Sequence, residues 1–96
     1  MNNRKRLPNR RINSSVRFEC EGFSYLATAG YFDDGTLAEV FLEVPGKAGT
    51  AVASAANTAA ILASLLLQHG VAATDIAHSV TGPIEVALKT FSEGQQ

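Results

Sequence analysis

A chain of 96 residues, 46% of them hydrophobic, has material for one core, and a second domain is excluded. Its net charge of -1 hides an asymmetry: Arg4, Lys5, Arg6, Arg10, Arg11 and Arg17 are six of the eight basic residues, while residues 18–96 carry two lysines against nine acids. The lone Cys20 excludes an internal disulfide and no Cys/His cluster has zinc spacing, while the absence of an h-region and the polar residues scattered through 48–71 exclude a signal peptide and a membrane span, so a cytoplasmic protein is expected.

Residues 1–14 are rich in Arg, Asn and Ser and show no periodicity, which predicts a flexible basic arm ahead of one ordered domain over 15–92, with 93–96 a frayed tail. From Val16 onward, Val16, Phe18 and Cys20 alternate with Arg17, Glu19 and Glu21, the period-two signature of a strand with one buried face. Glu21-Gly22 is a two-residue hairpin turn, and a second strand follows from Phe23 to about Tyr31, with Phe23, Tyr25, Ala27, Ala29 and Tyr31 on one side. Asp33-Asp34-Gly35 supplies the next turn, because Asp tolerates the left-handed region and Gly has no Cβ to clash there. The third strand, Leu37 to Val44, is expected to turn Ala38, Val40, Leu42 and Val44 inward and Glu39, Phe41 and Glu43 outward.

Pro45-Gly46 ends the sheet, and a helix is predicted from Ala51 to His69, with Thr50 as N-cap and Gly70 at C′. Val52, Ala55, Ala56, Ala59, Leu62, Leu65 and Leu66 form its expected apolar stripe, which Ala51, Ala60, Ala63 and Leu67 broaden nearly all the way round. Such a helix needs cover on more than one side, so a homo-oligomer, a dimer in the simplest case, is expected. Thr74 is then the predicted cap of a short helix to Ser79, and Gly82-Pro83 opens a last one through Phe91. The fold class is α+β: a three-stranded antiparallel β-meander followed by one long Ala-rich helix and two short helices.

Little in this pattern carries catalytic chemistry. His69 and His78 lie on different predicted helices without an acid or cysteine at ligand spacing, and His69 in the last helical turn is favourably placed against the helix dipole. Cys20 falls on the buried side of the alternation, where a thiol is inert. The segment Gly46-Lys47-Ala48-Gly49-Thr50 precedes a helix, whose N-terminal amides attract anions, although its spacing departs from GxxxxGK[ST]. The candidate ligand site is therefore Lys47, Gly49 and Thr50, with Arg10 or Arg11 folding over a nucleotide phosphate. Non-specific nucleic-acid binding by the basic arm is a weaker alternative, because the arm lacks interleaved aromatics and the body is acidic.

Five segments in order carry a resemblance: Leu7-Pro8-Asn9-Arg10-Arg11, Tyr31-Phe32-Asp33-Asp34-Gly35, Ala38-Glu39-Val40-Phe41, Lys47-Ala48-Gly49, and Ala60 through Val71. Together they resemble the TSCPD domain, found near the C-terminus of adenosylcobalamin-dependent (class II) ribonucleotide reductases and also as small stand-alone proteins. The family's Thr-Ser-Cys-Pro-Asp motif is not reproduced, the chain reading Thr81-Gly82-Pro83-Ile84-Glu85 near its last proline, and C-terminal cysteine pairs are missing. The resemblance implies an accessory module linked to deoxyribonucleotide synthesis, with a reductase subunit as a candidate partner. It implies no cofactor on this chain: adenosylcobalamin, like the reductase label, would belong to the larger relative, whose catalytic barrel is several times longer. No catalytic residue, no metal ligand and no membrane contact is expected.

Overall fold

The structure, a computed structural model, describes residues 13–93. Three antiparallel strands, β1 (Asn13–Cys20), β2 (Phe23–Tyr31) and β3 (Leu37–Glu43), form a sheet in the order β1-β2-β3. Three helices follow, α1 (Ala51–Gln68), α2 (Ala73–Ala77) and α3 (Pro83–Glu93). This is the α+β meander-then-helices arrangement that the sequence predicts. Among the described residues β1 is already paired at Asn13, opposite Gly30, ahead of the alternation at Val16, because Asn13, Ser14 and Ser15 are exposed and give no burial pattern to read.

Local chemistry explains the turns. Glu21 and Gly22 have φ of 54° and 87°, the double left-handed geometry that matches the twist of a two-residue hairpin, and Cys20 sits opposite Phe23. At the second turn Asp34 Oδ1 accepts from the Thr36 amide at 3.0 Å and from the Thr36 hydroxyl at 2.6 Å, while the Phe32 amide donates to Thr36 O at 2.8 Å. The Asp33-Asp34 pair is thus turn chemistry.

The inner sheet face holds Tyr25, Ala27, Ala29, Val40 and Leu42, joined in one core by Ile76 and Ala77 of α2 and Ile84, Ala87, Leu88 and Phe91 of α3. β1 is covered more thinly: Val16, Phe18 and Cys20 are half-buried, and Phe18 stacks on its cross-strand partner Tyr25 with ring centroids 5.5 Å apart. Burial first, then the charges of Glu21 and Glu85, push the Cys20 thiol above its ordinary value. Thr74 does not cap α2, which starts one residue earlier, at Ala73 after Ala72, without a side-chain cap.

The long helix occupies the side of the sheet that β3 leaves open. Among the described residues β3 pairs only with β2, so alternate main-chain groups along its other edge face outward. Ser64 Oγ accepts from the Val40 amide at 2.9 Å and donates to Val40 O at 3.1 Å, and Gln68 Nε2 donates to Ala38 O at 3.1 Å. These bonds fix the rotation of α1 about its axis. Its buried face is Ala56, Ala60, Ala63, Leu67 and Gln68, whereas Ala55, Leu62, Leu65 and Leu66 of the expected stripe are exposed. The expectation fails because hydrophobicity nearly all round gives the helix no preferred face, and the polar anchors choose the one with small side chains. At 18 residues and a mean hydropathy of 1.5, α1 is by length and composition able to cross a membrane, yet here it is built into the sheet edge.

Glu39 also departs from expectation. It lies on the outer face with Phe41 but is only 6% exposed, folded across its cross-strand partner Gly30. A Cβ at position 30 would meet Glu39 Oε2 at 2.7 Å and Cγ at 2.9 Å, so only glycine leaves this acid its place.

Two substitutions test these contacts. Ser64→Ala leaves both main-chain groups of Val40 without their partner and is expected to destabilise by about 1–3 kcal/mol, read as a lower urea midpoint at unchanged m; an unmoved midpoint would refute the edge-sealing role. Gly30→Ala is expected to lose about 1–3 kcal/mol through overpacking. In a double-mutant cycle Glu39→Ala should relieve most of that loss, and strict additivity would contradict the contact.

Candidate functional site

The helix that seals the sheet also carries four of the five large hydrophobic side chains that are exposed among the described residues. Its sequence supplies strong helix formers, and Thr50 starts it cleanly: the Thr50 hydroxyl accepts from the Ala53 amide at 3.3 Å and donates to Lys47 O at 2.6 Å. It ends at His69, whose amide reaches Leu65 O and Leu66 O at 3.1 Å and whose Nδ1 donates to Leu65 O at 2.9 Å, followed by Gly70 with φ of 94° at C′. Because the alanine face is turned to β3, Ile61, Leu62, Leu65 and Leu66 stand outward, 37–56% exposed. Phe41, 49% exposed on the outer sheet face, extends this surface across a groove of about 170 Å³ between β3 and α1, lined by Phe41, Ile61 and Leu65 with Asn57, Ser64 and Gln68. These five large side chains expose roughly 400–500 Å² of apolar surface, at the size where a patch on a monomer is commonly functional.

The residues singled out from sequence lie at the other end of α1. Lys47, Gly49 and Thr50 are exposed and adjacent at the helix entrance, where Gly49 has φ of 84° and the Thr50 amide donates to Lys47 O at 3.1 Å. The hollow beside them, about 320 Å³, is lined by Leu42, Val44, Pro45, Ala53 and Asn57 rather than by these three side chains. The Thr50 hydroxyl is engaged in its two internal bonds. Arg10 and Arg11 lie outside the described residues.

A third hollow, of about 520 Å³, opens at the C-terminal end of α1, between the β2–β3 turn and the link to α2; Phe32, Leu37, Leu67, His69, Thr74 and Ser92 are among its lining residues. Its walls come from three stretches of the chain, 32–37, 67–74 and Ser92, which no local pattern brings together. His78 is exposed elsewhere, and among the described residues no group of three or more His, Cys, Asp or Glu is arranged to hold a metal ion. Of the five large exposed side chains, Leu62, Leu65 and Leu66 belong to the stripe that the sequence pattern turns inward, whereas Phe41 stands on the outer face as that pattern has it.

Comparison with known proteins agrees with the segments noted above. The family model described as the TSCPD domain matches residues 3–92. A vitamin B12-dependent ribonucleotide reductase from Bradyrhizobium diazoefficiens is 37% identical over 71 residues, which cover 74% of this chain and 6% of the reductase. No solved structure matches the chain. With its match running through nearly all of the described residues, the chain belongs to the TSCPD domain family.

Proposed function

We propose that this protein is a non-catalytic association module of ribonucleotide reduction, acting through its surfaces on the assembly of a reductase rather than through a reaction of its own. The observation that carries this reading is the outward leucine face of α1: a surface of that size and polarity is built to be covered by protein. Family membership supplies the biological setting, since the similar segment of the Bradyrhizobium diazoefficiens protein belongs to a vitamin B12-dependent ribonucleotide reductase. In that enzyme the matching stretch is a small fraction of a long chain, which supports a role beside the chemistry.

The test is direct association. The purified full chain, mixed with the B12-dependent reductase of the same cell, is expected to co-elute with it in size-exclusion chromatography and to alter its rate of ribonucleotide reduction or its assembly state. Separate elution together with an unaltered rate and assembly state would overturn the accessory reading. Measurable deoxyribonucleotide formation by this chain without the reductase would overturn the non-catalytic part.

A further inference from the structure

We propose that the outer face of α1 is covered by a second copy of this chain, with the two helices antiparallel about a two-fold axis close to position 60. The proposal rests on reading α1 as an association surface and names its occupant. Ala51, Ala55, Thr58, Leu62, Leu65 and His69 are all exposed and recur at alternating steps of four and three residues. That 3.5-residue period is the seam along which one helix packs lengthwise against another, distinct from the buried alanine face turned to the sheet.

The seam is tapered. Its N-terminal half is small (Ala51, Ala55, Thr58), and its C-terminal half is bulky (Leu62 and Leu65, flanked by Ile61 and Leu66). In a parallel pair, small residues would meet small at one end and leucines would meet leucines at the other, so no single interaxial distance within the usual 8–10 Å would fill both ends. In an antiparallel pair Thr58 lies opposite Leu62 and Ala55 opposite Leu65, and every layer combines one large with one small side chain. The surface is thus complementary to itself, which is what an isologous two-fold contact requires.

Charge and area point the same way. The helix carries no acidic or basic residue, so identical faces meet without like-charge repulsion, and antiparallel helix dipoles attract. A lipid surface is a poorer match, because helices that lie on bilayers flank their apolar face with lysines and arginines. The five large exposed side chains, Phe41 among them, supply about half of the roughly 800 Å² that each partner contributes to a standard stable interface, and the small half of the seam supplies more.

The full chain should sediment as a dimer across the micromolar range; a monomer throughout would overturn the proposal. Leu62→Lys, at a side chain 56% exposed, should give a monomer with an unchanged circular-dichroism spectrum, and Leu66→Lys on the flank provides a second reading should the first fail to fold. A dimer that survives both would place the contact elsewhere and overturn the proposal. Direction is read in a Cys20→Ala background: under mild oxidation Ala55→Cys chains mixed with Leu65→Cys chains should cross-link much faster than either alone. Rapid self-linking of Ala55→Cys would mean a parallel pair and overturn the register. Failure here is separable from failure of the accessory reading: a monomer that still co-elutes with the reductase sinks only the pairing, and a dimer that ignores the reductase sinks only the partner.

Discussion

The contact on which the rest of the structure depends joins Ser64 to Val40. An edge strand presents a row of main-chain donors and acceptors that must be satisfied or shielded, and β3 is such an edge among the described residues. One hydroxyl takes up both Val40 groups, and four residues further along the same helix face Gln68 takes up Ala38 O. Their spacing of one helical turn matches the two-residue spacing of outward-facing groups on the strand, so helix and strand lie alongside each other in one register. Once that register is set, the side chains that meet the sheet are Ala56, Ala60, Ala63 and Leu67, and close approach follows from their small size.

This explains which parts of the fold were legible in the sequence. β1 announced itself because it has one wet face: Arg17 and Glu19 against Val16, Phe18 and Cys20 leave only one reading. The turns were legible because Glu21-Gly22 and Asp34-Gly35 solve local backbone problems with local chemistry, and Thr50 and Gly70 fixed the ends of α1 for the same reason. The face of α1 was not legible. Periodicity identifies a buried stripe by contrast with polar neighbours, and a helix with alanine and leucine all round offers no contrast. The usable signal lay in two polar residues, Ser64 and Gln68, whose meaning depends on unsatisfied groups in a strand more than twenty residues earlier. Glu39 was misplaced for a related reason: alternation gives the face of the sheet, and the glycine opposite, which makes room for the acid to lie flat, is a cross-strand fact.

The same distinction runs through the candidate sites. Lys47, Gly49 and Thr50 were found because a glycine-rich segment before a helix is a local pattern, and the structure does bring them together at the helix entrance. The excess of apolar helix was legible in the sequence, but not which of its side chains stand outward. Membership of the TSCPD family relates the chain to a domain of ribonucleotide reductases, while the geometry says where its large exposed apolar side chains lie.

What makes that surface unusual is the inversion of the helix. Full burial of a leucine in place of an alanine is worth roughly 2 kcal/mol, taking about 0.8 kcal/mol for each buried methylene. A domain that existed only as a monomer would gain by turning its leucines inward and its alanines to water, and α1 does the reverse along most of its length. The hydrogen bonds to β3 hold it there, but a helix with Ser and Gln on its leucine side would have satisfied the same edge. The thin face lets the helix lie against a strand edge, and the proposed pairing supplies the reason for the thick one, a place outside the domain where leucines are buried. Under the proposed pairing, the exterior of this domain becomes half of an interior.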